Sequence, residues 1–206
     1  GPVSKVNFLD KKYPGVTEYI SDKVGKKGKE VMLIYNKALA VTPITTHMPL
    51  NKIFTKISIK QIVTKVTEVD KFYKNFLNKN AKIGITGLNP HCESSNKVKE
   101  EEKIITPAIK KLKKKGIKIS GPFPADTIFL KKNRTNLDVI VGMYHDQVLS
   151  PIKTLFEFCA INITLGLPFI RITPDHGPNN MMLGKNKSDP SSLIEAIKFI
   201  KNLRGN

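Results

Sequence analysis

Short apolar runs alternate along this chain with longer segments whose apolar side chains recur at helical spacing, and this alternation constrains the fold more than any other feature. Residues 138–143 form a nearly continuous apolar run, typical of strands that are buried on both faces. Residues 58–77 place apolar side chains three and four positions apart, which predicts a long helix with one buried face. Alternating strands and helices pack as layers around a sheet. We therefore predict an α/β fold in one continuous domain, residues 1–206.

The other predicted elements are shorter. We expect strands at 31–35, 38–44, 82–88, 117–120 and 163–172, and helices at 17–24, 99–115, 151–158 and from residue 189 onward. The polar pair Asn36-Lys37 predicts a hairpin between the first two strands. Asp189 followed by Pro190 predicts the start of the last helix. The apolar face of that helix would consist of Leu193, Ile194, Ile197, Ile200 and Leu203.

Lysine dominates the charge of the chain and gives it a net charge of +18. Such an excess favours a solvated surface or an attraction for anionic substrates. The lysine runs contain no aromatic residue and no nucleic-acid-binding motif is found, so we expect no nucleic acid partner. No apolar run approaches the roughly 20 residues of a membrane helix, and two cysteines are too few for a disulfide framework. We expect a cytoplasmic protein without a membrane partner.

Three of the four histidines, His47, His91 and His145, directly follow predicted strands. Ligands of open α/β sheets collect beyond the carboxyl ends of the strands. Three imidazoles delivered there can hold one divalent metal ion and leave positions open for a substrate. Their separations along the chain fit no short metal-binding motif, so hydrogen-bonded surface histidines are the alternative.

Several polar residues lie in or beside apolar segments and are candidates for binding an anion. Arg171 adjoins an apolar strand, where a charge needs a partner; a phosphate, a carboxylate or a structural salt bridge would serve. Lys153 and Asn162 lie in comparable positions. The loop 176–186 is rich in glycine and small polar residues, so its backbone could approach a ligand closely, although an ordinary connection would look the same.

Six segments of the chain resemble the 4-hydroxythreonine-4-phosphate dehydrogenases of vitamin B6 biosynthesis, and they occur in the order of that family. They are TTHMPL (45–50), GLNPH (87–91), GPFPADT (121–127), MYHDQ (143–147), NITLGLPFIR (162–171) and DHG (175–177). The resemblance extends along essentially the whole chain. It implies an isocitrate/isopropylmalate dehydrogenase-like layered sheet that is incomplete at the N-terminus. It also implies a homodimer that oxidises a small phosphorylated amino acid with NAD or NADP and a divalent metal ion, most simply zinc, with cobalt, manganese, nickel or magnesium as alternatives.

The resemblance also implies roles for particular residues. The metal ligands, drawn from both subunits, would be His47, His91 and His145. Substrate contacts would be Thr17, Lys153, Asn162 and Arg171. The cofactor loop would include His176, Gly177, Gly184 and Asn186. Asp126 and Asp146 are candidates for proton handling or for supporting the metal ligands.

The chain departs from the family in two ways. It lacks roughly the first third of the usual length, and Val16 stands where the family usually has a substrate-contacting histidine. A paralogous dehydrogenase for a four-carbon sugar-acid phosphate could share the same motifs. A truncated, catalytically silent binding protein of the same fold is the alternative from a different class.

Overall fold

A computed structural model describes residues 13, 15–93, 99–176 and 182–204. Seven strands form one sheet in the order β4-β3-β5-β2-β1-β6-β7. The strands are β1 (Val31–Tyr35), β2 (Ala40–Pro43), β3 (Ile83–Thr86), β4 (Ile119–Phe123), β5 (Val139–Gly142), β6 (Ile161–Leu165) and β7 (Arg171–Pro174). The helices are α1 (Val16–Lys23), α2 (Ile53–Lys56), α3 (Ile59–Leu77), α4 (Thr106–Lys114), α5 (Ala125–Ile128), α6 (Lys131–Arg134), α7 (His145–Phe156) and α8 (Ser191–Arg204). Single 3-10 turns at Leu50–Lys52 and Pro90–Cys92 and a π-helical turn at Glu101–Ile105 complete the described elements.

The direction of the strands decides where their ends meet. Strands β2 to β5 are mutually parallel, with β5 between β2 and β3. Strand β1 is antiparallel to both β2 and β6, so β6 runs in the same direction as β2, and β7 runs the opposite way. The carboxyl ends of β2, β3, β5 and β6 therefore lie along one edge of the sheet, which we call the carboxyl edge.

Two apolar layers cover the two faces of the sheet. Side chains alternate along each strand, so Leu33 belongs to one layer and Ile34 to the other. Helices α3, α4 and α8 pack on the first face, and α5 and α7 pack on the second. Both faces of the central strands are buried, which explains the continuous apolar run that predicted β5.

Several sequence predictions are confirmed. Helix α3 spans Ile59–Leu77, and Ser58 caps it by accepting a hydrogen bond from the backbone N–H of Gln61 at 3.2 Å. Strands β1 and β2 form the predicted antiparallel hairpin. Asp189 Oδ1 accepts the backbone N–H of Ser191 at 2.8 Å at the start of α8. Among the described residues, no helix combines the length and apolar character needed to cross a membrane.

Two predicted boundaries are wrong. The single strand expected at 163–172 is the pair β6 and β7, joined by a turn at Gly166 with φ +79°. A side chain at Gly166 would place its Cβ 2.1 Å from the carbonyl oxygen of Lys29, so only glycine fits this turn. The helix expected at 151–158 begins at His145 instead and carries Pro151 in its second turn. The proline removes one backbone donor there without ending the helix.

The predicted apolar face of α8 is also corrected. Leu193, Ile194, Ile197 and Ile200 are between 39% and 49% exposed. The packed side of the helix consists instead of Ser192, Ala196 and Phe199. Periodicity identifies an apolar stripe but not the direction in which the fold turns it.

Candidate metal and substrate site

Two of the three predicted metal ligands lie side by side at the carboxyl edge. His47 follows β2 and His145 begins α7 directly after β5, and these two strands are neighbours in the sheet. The centroids of the two imidazole rings are 6.0 Å apart. Both side chains are partly exposed, at 28% and 34%, so a ligand can reach them from solvent.

Each of these histidines is held by a carboxylate through the same ring nitrogen. His47 Nδ1 lies 3.0 Å from Glu18 Oε1, and His145 Nδ1 lies 2.6 Å from Asp146 Oδ1. A carboxylate that accepts the Nδ1 proton leaves the Nε2 lone pair free, which is the arrangement of metal-binding histidines. The donor set therefore fits a divalent metal ion.

His47 lowers the pKa of the Glu18 carboxyl group and so favours its ionised form. Burial by itself raises the pKa of Glu18, but the hydrogen bond and the charge of His47 outweigh it, and the backbone N–H of Glu18 and the Thr46 hydroxyl act in the same direction. The net result is a pKa below the ordinary value, so Glu18 is ionised at neutral pH.

Gly15 allows helix α1 to bring Glu18 this close. A Cβ at Gly15 would lie 2.7 Å from Glu18 Oε2 and 3.2 Å from His47 Cε1. Its backbone is extended, with φ −169°, so the requirement is for space and not for unusual dihedral angles. Any larger residue at this position would require the Glu18 carboxylate to shift beside His47.

The third predicted ligand, His91, lies apart from this pair. It follows β3, on the other side of β5 from β2, and its side chain is exposed. Its backbone has φ +55° and ψ +15°, and the next residue, Cys92, has φ +62°. Within the described ranges, no three or more His, Cys, Asp or Glu side chains of the one chain are placed to hold an ion together.

Arg171 and Thr17 meet at the same edge of the sheet. Arg171 Nη1 donates to Thr17 Oγ1 at 3.3 Å and to Thr164 Oγ1 at 3.0 Å. Burial lowers the pKa of Arg171, and the negative charge of Glu18 partly offsets that effect. Both partners are neutral, and no carboxylate among the described residues forms an ion pair with this guanidinium, so the group could bind an anion.

Asn162 and Lys153, the remaining predicted substrate contacts, differ in their surroundings. Asn162 Oδ1 is buried and has no hydrogen-bond partner among the described residues. Lys153 Nζ forms an ion pair with Asp175 Oδ2 at 2.7 Å and also donates to the backbone carbonyl of Asp175. Burial raises the pKa of Asp175, and Lys153 only partly reverses this. Lys153 is thus already engaged, whereas Asn162 has a free acceptor.

The predicted catalytic aspartates lie at the surface, and the predicted cofactor loop is described only in part. Asp146 holds His145 and is 76% exposed, and Asp126, in α5, is also exposed. Gly177 lies outside the described residues. The others are placed but make no contact that identifies a cofactor: His176 is half-buried and interacts with Asp175, and Gly184 and Asn186 are exposed.

A cavity of 480 Å³ is lined by Arg171, Ile200 and Leu203, among others, but by none of the predicted metal ligands. A cavity of 560 Å³ lies at the opposite edge of the sheet, between α3 and α8, and Tyr35, Phe76 and Phe199 are among its lining residues. The case for a site therefore depends on the paired histidines and not on concavity.

Sequence reasoning missed three supporting residues. Glu18 adjoins the predicted contact Thr17 and anchors His47. Gln147, the last residue of the MYHDQ segment, is 8% exposed and joins the ends of β3 and β5 through three hydrogen bonds. Glu101 is 5% exposed and holds the backbone just before His91. Gln147 lies within a quoted motif, and Glu18 lies in the segment 15–18, which also resembles the family, whereas nothing in the sequence singled out Glu101.

Comparisons with known proteins agree with this architecture. A family model described as pyridoxal phosphate biosynthetic protein PdxA matches residues 1–200. The 4-hydroxythreonine-4-phosphate dehydrogenase of Sulfurihydrogenibium sp. is 42% identical over 202 residues, which cover 96% of this chain and 62% of the relative. That of Bradyrhizobium diazoefficiens is 40% identical over 197 residues, covering 93% and 57%.

Solved structures give the same result for the fold. The 1.25 Å crystal structure of 4-hydroxythreonine-4-phosphate dehydrogenase from Klebsiella pneumoniae matches with a TM-score of 0.81 and 31% identity, covering 98% of this chain and 63% of that one. A terephthalate 1,2-cis-dihydrodiol dehydrogenase from Burkholderia xenovorans LB400, at 22% identity and a TM-score of 0.72, shows the fold alone; the match covers 91% of this chain and 60% of that one.

The predicted isocitrate/isopropylmalate dehydrogenase-like fold is confirmed. The chain spans 57% to 63% of the length of these relatives. By its sequence and its fold, the chain belongs to the PdxA family of pyridoxal phosphate biosynthetic proteins.

Proposed function

We propose that this chain acts in an NAD-dependent dehydrogenase of vitamin B6 biosynthesis. The enzyme would oxidise 4-phosphooxy-L-threonine and release carbon dioxide to give 3-amino-2-oxopropyl phosphate. The observation that carries the proposal is the pair His47 and His145, each anchored by a carboxylate, at the edge of the sheet that also carries Arg171. The names of the relatives supply the substrate class.

The two paired histidines would hold a divalent metal ion through their Nε2 atoms. His91 of a second copy of the chain would complete the set, because His91 is exposed and lies outside the pair in its own chain. The protein would therefore work as a homodimer with its site at the subunit boundary. When bound, the ion supplies Lewis-acid polarisation of the substrate hydroxyl. Imidazole ligands suit zinc, cobalt, manganese and nickel, so the residues do not select one metal.

Arg171 and Thr17 would bind the anionic groups of the substrate, and Lys153 would join them when the substrate replaces its partner Asp175. Among the described residues, the guanidinium of Arg171 donates to the hydroxyls of Thr17 and Thr164, and a phosphate or carboxylate could form the charge-assisted bonds that these neutral partners do not. Asn162 Oδ1 is a buried acceptor without a donor among the described residues, and a substrate amine could donate to it. Together these groups would fix the reacting carbon beside the paired histidines.

The loop 176–186 would bind the adenosine side of the cofactor. NAD supplies the hydride acceptor, or NADP in its place. The stem of this loop is fixed on both sides: the backbone N–H of Asp175 donates to Ser192 Oγ at 2.7 Å, and Ser192 Oγ donates to the carbonyl of Ala160 at 2.6 Å.

The test is production of NADH by the purified chain, followed by absorbance, with 4-phosphooxy-L-threonine, NAD and each divalent ion in turn. We expect turnover that His145→Ala abolishes. A parallel assay with a four-carbon sugar-acid phosphate distinguishes the paralogous dehydrogenase. If the chain binds metal ion but forms no NADH with either substrate, the dehydrogenase proposal is wrong, and a binding protein of the same fold is the better description.

A further inference from the structure

A buried carboxylate, Glu101, holds the beginning of the loop that carries His91. Its Oε1 accepts the backbone N–H groups of Leu88 and Asn89, both at 2.8 Å. Its Oε2 accepts the side-chain amide of Asn89 at 3.0 Å, and Glu100 Oε2 accepts the same amide at 3.0 Å. Two successive backbone donors and one side chain are thus fixed by a single residue, two positions before His91.

The loop needs such an anchor because its backbone is unusual. His91 and Cys92 have φ +55° and +62°, a conformation that residues with side chains rarely adopt. Consecutive residues of this kind persist only where the surrounding structure fixes them. The loop also closes tightly over Gly87, where a Cβ would lie 2.8 Å from Cys92 Sγ and 3.1 Å from Glu101 Oε1.

Glu101 lies where the preceding helix is itself irregular. It opens the π-helical turn Glu101–Ile105, which precedes α4. Such turns occur mostly as single bulges and frequently at functional sites. Burial alone raises the pKa of Glu101, but the hydrogen bonds from Asn89 and Leu88 lower it below the ordinary value. The carboxylate is therefore ionised and forms strong, charge-assisted bonds to the loop.

We propose that Glu101 is a positioning residue that presents His91 to the His47–His145 pair of a second copy of the chain. This rests on the shared metal site of the proposed function. His91 is exposed and belongs to no metal group among the described residues of its own chain, so the bonds that fix its backbone would serve to present it to the partner. Glu101 touches neither the ion nor the substrate; it acts through the direction in which His91 points.

The first test compares Glu101→Ala with Glu102→Ala. Glu102 has a side chain that is 66% exposed and pairs with Lys99 at 3.0 Å, so its replacement makes the same change in charge without removing a bond to Leu88 or Asn89. The affinity of the purified dimer for Zn²⁺ is measured by competition with a chelator. We expect Glu101→Ala to weaken binding about tenfold or more and Glu102→Ala to change it less than about twofold. Circular dichroism of both variants reports whether each has folded.

The decisive test is complementation between subunits. In a heterodimer of Glu101→Ala and His145→Ala chains, one site combines the intact His47–His145 pair of the first chain with the correctly held His91 of the second. We expect one Zn²⁺ per heterodimer, bound with wild-type affinity. A heterodimer of His47→Ala and His145→Ala has no intact pair and should bind none.

The outcomes separate the possible errors. If the wild-type dimer binds Zn²⁺ but the Glu101→Ala/His145→Ala heterodimer binds no better than its parents, Glu101 does not act through the partner and the positioning role is wrong. If Glu101→Ala binds like Glu102→Ala, the role is also wrong. If the wild-type dimer itself binds no Zn²⁺, the shared metal site fails, and this inference fails with it.

Discussion

Replacing Gln147 with methionine should destabilise the fold by about 3 kcal/mol, because three hydrogen bonds at the carboxyl edge depend on this one side chain. Gln147 Oε1 accepts from Thr86 Oγ1 at 2.9 Å and from the backbone N–H of Met143 at 2.7 Å. Gln147 Nε2 donates to the carbonyl of Gly87 at 2.8 Å. Each bond contributes about 0.5–1.5 kcal/mol net, which gives about 3 kcal/mol for the three.

Two further effects of the substitution largely cancel. Thr86 and Met143 are fully buried, so the Thr86 hydroxyl and the Met143 backbone N–H would lose their partner without gaining a hydrogen bond to water. This loss lowers the free energy of unfolding further. Methionine has a similar length and buries more apolar surface, which offsets part of this loss of stability. The assay is urea unfolding followed by circular dichroism.

The control is Gln61→Met. Gln61 Oε1 is buried without a hydrogen-bond partner among the described residues, so the same substitution there loses no side-chain bond. We expect Gln61→Met to lie within about 0.5 kcal/mol of the wild type. A Gln147→Met chain within about 1 kcal/mol of the wild type would refute the view that this amide joins the two strand ends.

Three further predictions follow from the site and from α8. Gly15→Ala should weaken Zn²⁺ binding about tenfold in a chelator competition, because its Cβ would displace Glu18 from His47; unchanged affinity would contradict this. The pKa of Glu18 is lowered on folding, so its stabilising contribution is complete above the ordinary pKa of about 4.3 and is lost as the pH falls through the lowered value. The difference in unfolding free energy between the wild type and Glu18→Gln should therefore shrink from about pH 6 to about pH 3, and a difference that grows on acidification would refute the assignment. Ile197→Glu should change the melting temperature little because Ile197 is 48% exposed, whereas Ala196→Glu should prevent stable folding because Ala196 is 3% exposed; a larger loss from Ile197→Glu than from Ala196→Glu would restore the original prediction for this helix.

Elements whose signal is local could be predicted from the sequence. Helix α3 is the clearest case, because a run of apolar residues at helical spacing follows a serine that can cap it, and both features act within a few residues. Strand β5 was predicted for a related reason, since an apolar run too short for a helix is typical of a buried strand.

Elements that depend on distant contacts could not be predicted. The turn at Gly166 is required by the backbone of Lys29, which is far away in sequence, so nothing in 163–172 alone separates β6 from β7. In α8, the five large apolar residues determined the predicted buried face, and Ser192 was not part of it. Ser192 is nevertheless only 1% exposed, because its hydroxyl forms hydrogen bonds with Asp175 and Ala160. Tertiary hydrogen bonds decided the rotation of that helix.

The positions of the histidines directly after strands predict part of the candidate site but not the arrangement of its residues in space. That the three histidines follow strands was visible in the sequence, but their order in space depends on the sheet order β3-β5-β2, which places His145 between the other two. Adjacent parallel strands are about 4.8 Å apart, so histidines at the ends of any two neighbouring strands could lie side by side. Strand order alone would therefore have allowed His145 to pair with His91 as readily as with His47. The structure distinguishes the two: His91 is exposed and has φ +55°, whereas Glu18 and Asp146 bind the other two rings, whose centroids are 6.0 Å apart. In the proposed shared site, the ligand from the second copy would therefore depend on the backbone of His91 and its buried anchor Glu101, neither of which the positions of the histidines reveal.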